Sequence, residues 1–415
     1  MGPMIDLTRY IEPGDSILVG QGTAEPRALV EALVAQRHLL RDVRVFVTAS
    51  FTGLFTPEHA DHLTFSGLGG VGQTSLLTTA GVLDVLPIHL GEVSRLIGSG
   101  QLRFDVVLAQ LSTTVQDGQH SLGLVSDYLQ QAIGLARVTL AEINPHVPFT
   151  YGDTLIRHDQ ITDSVFDDRP LIEVPRRPPS EQDLAIADHI TGLIPDGATL
   201  QIGVGATPDA VIAKLVNGRN LGVHSGLMTD ALVDLVEAGV VTNSHKEIDA
   251  GLCVTGALFG SDRLYRWADR NSALQMRSVA HTHDPRVLAH FESFFAINSA
   301  IEVDLSGQIN GEIAGRRHLG TVGGQGYFAR AGLTSSRGRS IIALPSVVAG
   351  GSVSRIVASI ASGIVTTSRA DADIIVTEHG IADLRGASLR QRAARMIAIA
   401  DPRHRDELAR QLAGH

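Results

Sequence analysis

The segment from Gly203 to Pro208 has the residue types of a turn that can bind a phosphate group. It follows the apolar residues 200–202, and Pro208 suits the first turn of a helix because no N–H donor is needed there. Glycines let the backbone approach a ligand closely, and a helix N-terminus offers free N–H groups with a partial positive charge. The pattern therefore predicts either a plain tight turn or a site for a phosphate or pyrophosphate.

Several other side chains have the chemistry to act on a bound ligand. His224 is a candidate general base because its unperturbed pKa is near neutrality, although a histidine in a strand is more often packed in the core. Ser225 follows it, but neighbours along a strand face opposite ways, so we do not expect a nucleophile–base pair. Glu302 and Glu378 are carboxylates within or after apolar strand patterns. For both, a catalytic function and a purely structural one stay open.

The elements that must position these residues occur twice in the chain. A strand pattern over 17–19, a glycine turn and a helix pattern over 26–36 precede a second set built around the turn after residue 202. A constant offset aligns Pro26 with Pro208 and Leu18 with Leu200. This repeat predicts two related α/β domains, each with an open, mostly parallel sheet.

The domain boundary is predicted at the proline-rich segment 175–180, because proline continues neither a helix nor a central strand. This gives an N-terminal domain over 1–174 and a C-terminal domain over 181–415 that carries the glycine turn. Within the C-terminal domain, the apolar pattern predicts a single strand over 296–305.

The composition disfavours several classes of protein. A net charge of -10 argues against nucleic-acid binding, which needs a basic surface. A single cysteine, Cys253, excludes a disulfide framework within the chain and fits a reducing cytoplasm. The sequence has no apolar run long enough for a membrane span, and residues 1–15 do not resemble a signal peptide. We therefore expect a cytoplasmic protein, without a metal because the sequence lacks an HExxH pattern and a cysteine cluster.

Six motifs resemble those of the acetyl-CoA hydrolase/CoA-transferase family, which contains 4-hydroxybutyrate and succinyl-CoA:acetate CoA-transferases. They are residues 88–90, 121–123, 142–145, 298–308, 323–325 and 376–386, of which the last is similar to the family's C-terminal signature almost residue for residue. The resemblance implies the class I CoA-transferase type of α/β fold and coenzyme A, bound as an acyl-CoA substrate. It also implies a small acceptor (water, a carboxylate or another nucleophile) and a homodimer.

The resemblance also implies which residues contact CoA. The turn is similar to the family's CoA-contacting segment, which here comprises Gly203, Val204, Gly205, Ala206 and Thr207. A second cluster of backbone donors near the thioester, or only a turn, is implied at Gly323, Gly324 and Gly326. Ala349 stands where the family commonly has a lysine suited to a CoA phosphate.

One departure from the family pattern concerns the chemistry. The family's nucleophilic glutamate ends a His-Thr-Glu stretch, whereas this chain has His224-Ser225-Gly226. Gly226 therefore occupies the nucleophile's place, and a glutamyl-CoA thioester cannot form there. The missing side chain is expected to leave space in which water or a small acceptor attacks the thioester.

Three functions stay open after this departure. We expect acyl-CoA hydrolysis or an atypical acyl transfer that lacks the glutamyl-CoA intermediate. CoA transfer could instead use another carboxylate, for which Glu302 and Glu312 are the candidates. The third possibility is a non-catalytic subunit that binds acyl-CoA.

Overall fold

The computed structural model describes residues 4–113, 118–315 and 317–413, which form two compact units. Unit 1 contains the chain up to Pro175 together with residues 254–282 and 317–323. Unit 2 contains residues 176–253, residues 283–316 and the chain from Gly324 onward. The change of unit after Pro175 falls at the start of the predicted linker. The segments 254–282 and 317–323 follow that linker in sequence but belong to unit 1.

Unit 1 is built on a parallel sheet. Its strands are β1 (Ser16–Val19), β2 (Val43–Phe46), β3 (Leu63–Gly67), β4 (Leu83–Val85), β5 (Val106–Leu111), β6 (Val138–Ile143) and β7 (Asp163–Phe166). They lie in the order β7-β6-β5-β1-β2-β3-β4, with every neighbouring pair parallel. All residues of β5 are buried, as expected for a central parallel strand that is covered on both faces.

Helices and short strands complete unit 1. The helices are α1 (Arg27–Gln36), Thr74–Thr79, Leu90–Gly98, Leu129–Leu135, Asp262–Ala268 and Val279–Thr282. The short strands include Ala49–Ser50, Val71–Gly72, Gln119–Ser121, Tyr151–Gly152, Leu155–Arg157, Leu274–Met276 and Arg317–His318. Of the strand Cys253–Leu258, the first residue belongs to unit 2 and the remaining residues belong to unit 1.

Unit 2 has a second open sheet. Its strands are β8 (Thr199–Ile202), β9 (Gly222–Met228), β10 (Phe294–Asn298), β11 (Arg339–Ala343), β12 (Ile374–Thr377) and β13 (Gly380–Asp383). Within the unit they follow the order β9-β8-β10-β11-β12-β13. The pairs are parallel apart from β12 and β13, which are antiparallel.

The helices of unit 2 cover its sheet and carry the chain between strands. They are α2 (Glu181–Thr191), α3 (Ala206–Lys214), Asp230–Glu237, Pro285–Leu288, α4 (Gln325–Thr334), Leu389–Ile399 and α5 (Pro402–Ala413). Short strands lie at Glu302–Asp304, Ile309–Asn310, Ile313–Ala314, Val347–Val348, Val353–Ser354 and Ile356–Val357. None of the helices formed by the described residues combines the length and the apolar composition needed to cross a membrane.

The predicted repeat is confirmed by the topology of the two sheets. In unit 1, β1 leads through a glycine turn to α1 and lies between β2, the next strand of the sheet, and β5. In unit 2, β8 leads through a glycine turn to α3 and lies between β9, the next strand, and β10. The fold is therefore α/β, with two related, open and mostly parallel sheets.

The prediction of one strand over 296–305 was wrong. The strand β10 ends at Asn298, and Glu302–Asp304 belongs to a separate three-stranded sheet with Ile309–Asn310 and Ile356–Val357. Asn298 donates a hydrogen bond from Nδ2 to Gln201 Oε1 at 2.9 Å, which ties the end of β10 to β8. The apolar pattern runs across this break without a proline or a glycine, so periodicity alone does not reveal it.

Candidate functional site

The predicted glycine turn lies at the carboxyl end of β8, where the strand order of unit 2 reverses. From β8 the chain passes through α3 to β9 on one side, whereas the later strand β10 pairs with β8 on the other. Open parallel sheets bind ligands in the crevice that such a reversal leaves at the carboxyl ends of the strands. Its position makes the turn a candidate ligand site within unit 2.

The backbone of the turn has the geometry that its glycines allow. Gly205 directly precedes α3 with φ 135° and ψ 173°, a conformation that L side chains rarely adopt. A Cβ on Gly203 would lie 3.5 Å from Asn298 Oδ1, at the end of β10. Val204 is 49% exposed, so this part of the turn is open to a ligand.

Ala206 and Thr207 form the first residues of α3, and Pro208 follows in the same turn as predicted. Thr207 is buried, and its hydroxyl donates a hydrogen bond to Asp183 of α2. The side chain of Thr207 therefore links two helices. The groups that remain for an anionic ligand are the backbone N–H groups at the start of α3.

Gly226 lies near the end of β9, on the same face as His224 because the two are separated by one residue. A Cβ on Gly226 would lie 3.0 Å from Cε1 and 3.2 Å from Nε2 of His283. It would also lie 3.5 Å from Cε2 of Phe328. A side chain at position 226 would therefore begin in close contact with a buried imidazole.

Gly324 also contacts this imidazole. A Cβ on Gly324 would lie 2.3 Å from Nε2 and 2.6 Å from Cδ2 of His283, which is closer than atoms can pack. Gly324 directly precedes α4. The structure thus brings two of the predicted site residues, Gly226 and Gly324, against the same histidine.

An aromatic cluster connects this histidine with His224. Ring centroids are 4.5 Å apart for His283 and Phe328, 6.3 Å for Phe328 and Phe294, and 5.6 Å for Phe294 and Phe291. Phe291 lies 4.9 Å from the ring of His224, which is fully buried. Burial lowers the pKa of His283 to about 3 because the interior disfavours the charged form. His283 is therefore an uncharged imidazole at neutral pH.

The two candidate replacement carboxylates belong to the segment 302–312 of unit 2. Glu302 Oε1 accepts a hydrogen bond from Asn310 Nδ2 at 2.9 Å, across an antiparallel strand pair. Glu312 is buried, and its Oε1 accepts a hydrogen bond from Thr366 Oγ1 at 2.7 Å. Each carboxylate is held by a polar side chain, which suits a structural group and a positioned catalytic group equally.

Glu378, in the C-terminal signature, fixes the loop that follows β11. It accepts hydrogen bonds from the backbone N–H and the hydroxyl of Ser346, both at 2.8 Å, and from Gln182 Nε2 at 2.6 Å. This loop leads to Ala349, which begins the short 3-10 helix Ala349–Gly351. The side chain of Ala349 lies outside the described residues. Glu378 is thus an anchor for the loop in which the family resemblance places a CoA contact.

The remaining predicted contacts are distributed between the units. Gly323 belongs to unit 1, where its carbonyl oxygen accepts a hydrogen bond from Leu90 N at 2.9 Å. Gly326 is the second residue of α4 in unit 2. His283 was not among the residues for which the sequence predicted a role in the site. No spacing pattern links it to Gly226, so its place beside the glycine could not be inferred.

Comparison with known proteins places the whole chain in context. The profile of the acetyl-CoA hydrolase/transferase N-terminal domain matches residues 4–176, and that of the acetyl-CoA hydrolase/transferase C-terminal domain matches residues 260–412. The chain is 37% identical to 4-hydroxybutyrate coenzyme A transferase of Clostridium kluyveri, over 96% of this chain and 94% of that protein. It is 33% identical to succinyl-CoA:acetate/propanoyl-CoA:succinate CoA transferase of Fasciola hepatica, over 96% of this chain and 84% of that protein. The crystal structure of RipA from Yersinia pestis superposes with a TM-score of 0.92 at 32% identity, over 97% of this chain and 94% of RipA.

Proposed function

Because the chain belongs to the acetyl-CoA hydrolase/transferase family, we propose that it cleaves acyl-CoA thioesters without a glutamyl-CoA intermediate at position 226. The family comprises acetyl-CoA hydrolases and CoA-transferases, which are enzymes that act on acyl-CoA. Within this range, we propose hydrolysis or an atypical acyl transfer. We also propose a homodimer, which the family resemblance implies, and a cytoplasmic location, which the single cysteine fits.

The observation that carries the proposal is the pair formed by Gly226 and His283. A glycine supplies no carboxylate, and the imidazole takes the space in which a carboxylate side chain would begin. A covalent intermediate requires a nucleophile beside the thioester carbonyl. Without one at this position, water or a small acceptor must attack the carbonyl directly, and the carbon–sulfur bond then breaks to release CoA as the thiol.

His283 and His224 are the two imidazoles that could accept the proton of the attacking group. The low pKa of His283 keeps its ring unprotonated at neutral pH, as a base must be. The same burial makes the ring a weak base, so the rate gain from proton transfer is expected to be modest. His283 supplies the two atoms nearest to a Cβ at position 226, which favours His283 as the base.

The glycine turn supports CoA as the ligand. Free N–H groups at the start of α3, together with the partial positive charge of that helix, suit the diphosphate of CoA. The φ of 135° at Gly205 keeps the backbone free of a side chain where the ligand approaches. The same turn lies next to the carboxyl end of β10. Gly226 also lies near the carboxyl end of its strand, β9.

CoA transfer through Glu302 is the second candidate function, and the activities for which the two transferase relatives are named favour it. In that reaction the Glu302 carboxylate would attack the thioester and carry CoA to a second carboxylate. A protein that binds acyl-CoA without turnover is the third candidate.

Thiol release from a panel of acyl-CoAs, with and without acetate as acceptor, separates these candidates. Release that does not depend on acetate supports hydrolysis, whereas a strict requirement for a carboxylate acceptor supports transfer. Binding of acyl-CoA without any release of thiol would support the third candidate, a protein that binds acyl-CoA without turnover. The variant His283→Asn should slow hydrolysis more than His224→Asn, because both remove an imidazole but only the first removes the proposed base.

A further inference from the structure

A cavity of about 390 Å³ lies beside the loop that carries Ala349. It is lined by Gln182 of α2, by residues of the loop that starts at Pro345, and by Arg403 of α5. Among the described residues that line it, Arg403 has the only charged side chain. The cavity therefore offers a cation to a ligand that enters it.

The guanidinium of Arg403 is held in a defined orientation. It donates from Nε to Asp401 Oδ1 at 2.9 Å and from Nη2 to Asp401 Oδ2 at 2.8 Å. The third nitrogen, Nη1, lies 2.2 Å from the position that a Cβ on Gly351 would take. Only a glycine fits there, since Gly351 also has φ 93°. His404 Nε2 lies 3.0 Å from the carbonyl oxygen of Gly351, so the loop and α5 are joined at two points.

The start of α2 borders both this cavity and the glycine turn. Asp183 accepts the hydrogen bond from Thr207 of the turn, and its neighbour Gln182 lines the cavity. Glu378 accepts a hydrogen bond from Gln182 and two from Ser346, and so fixes that wall relative to the loop. The turn and the cavity therefore border the same end of α2.

We propose that Arg403 binds the 3′-phosphate of CoA in this cavity and supplies the cation that position 349 lacks. The assignment rests on the proposed function, because it takes CoA as the ligand of the glycine turn. A phosphate monoester carries more than one negative charge at neutral pH. Arginine is suited to it because its planar group is always charged and offers several N–H donors. Asp401 uses Nε and Nη2, which leaves the N–H groups of Nη1 for the phosphate.

Calorimetric titration with CoA and with 3′-dephospho-CoA tests this assignment. The variant Arg403→Ala should bind CoA about tenfold more weakly, the effect expected for one charge-assisted hydrogen bond. It should bind 3′-dephospho-CoA as the wild type does, so that the preference for CoA is lost. Arg403→Lys keeps the charge and should retain part of the preference.

Arg410→Ala is the matched control. Arg410 lies on the same helix, is 70% exposed and pairs with Glu407 at 2.6 Å, so its removal should leave both affinities unchanged. Equal weakening of both ligands by Arg403→Ala would mean that Arg403 only supports the loop, and would overturn the assignment. Unchanged binding of both ligands would also overturn it. A wild type that binds neither ligand would instead refute the proposed function itself.

Discussion

Replacing Gly226 with alanine adds one methyl group at the place where the family's nucleophile would stand. The backbone of Gly226 is not in the left-handed region, so an alanine can adopt it without strain. The effect of the substitution therefore depends on the neighbours of the new Cβ. The nearest are Cε1 and Nε2 of His283, at 3.0 and 3.2 Å.

The imidazole is packed closely by other neighbours. Its ring centroid lies 4.5 Å from that of Phe328, and Nε2 also lies so close to Gly324 that a Cβ there would be 2.3 Å away. Overpacking of a core in which neighbours cannot move costs about 1–3 kcal/mol. Replacing a glycine also restricts the unfolded chain, which stabilises the folded state by about 0.4–1 kcal/mol. We therefore expect Gly226→Ala to lower the free energy of unfolding by about 1–2 kcal/mol.

Once the imidazole is removed, the same substitution should no longer lower the free energy of unfolding. In the His283→Ala background, the next nearest atom to the new methyl group is Cε2 of Phe328, at the ordinary contact distance of 3.5 Å. Gly226→Ala should then be neutral or slightly stabilising, although His283→Ala by itself leaves a cavity and costs stability. A coupling of about 1–3 kcal/mol between the two positions follows.

Urea denaturation of the four proteins of this double-mutant cycle provides the measurement. Gly134→Ala serves as the control, because this glycine lies in the helix Leu129–Leu135 with nothing within 4 Å of a new Cβ. The free energy of unfolding of that variant should rise by about 0.5–1 kcal/mol. Equal effects of Gly226→Ala in the presence and absence of His283 would refute the claim that the imidazole fills the nucleophile's place.

Three further predictions follow from the site. Gly205→Val places a branched side chain at φ 135°, so CoA affinity measured by calorimetry should fall at least about tenfold; unchanged affinity in a folded variant would remove the turn from the site. Gly226→Glu should show little CoA transfer to labelled acetate by itself and more when combined with His283→Ala, which makes room for the carboxylate; a single variant more active than the double would contradict this. Burial lowers the pKa of His283 from 6.5 to about 3. Between these values the unfolded chain binds a proton that the folded chain excludes, so stability should fall with decreasing pH by up to about 1.4 kcal/mol per unit. His283→Asn should reduce that slope, and an unchanged slope would show that His283 does not cause it.

The fold was predictable from the sequence because its signals are local and repeated. The pattern of strand, glycine turn and helix recurs around Pro26 and Pro208, and the strand of each copy has a parallel neighbour on both sides. The assignment of residues 254–282 and 317–323 to unit 1 has no such signal. The chain changes unit there without a proline-rich linker, so composition does not mark the boundary.

The candidate site was only partly predictable for a related reason. The glycine turn and the absence of a carboxylate at Gly226 are properties of short segments. By contrast, the filling of that space by His283 depends on packing between residues far apart in sequence. Arg403 likewise reaches the loop of Ala349 from a helix near the end of the chain. Such neighbours follow from the fold and not from periodicity or spacing.

Intact-protein mass spectrometry during turnover of an acyl-CoA, with free thiol measured in parallel, tests the central claim most directly. We predict that thiol accumulates in excess over the protein while the mass of the chain stays unchanged, because no enzyme-bound CoA thioester forms. A mass increase equal to CoA less one water, mapped by peptide analysis to Glu302 or to another carboxylate, would contradict this mechanism and establish covalent CoA transfer.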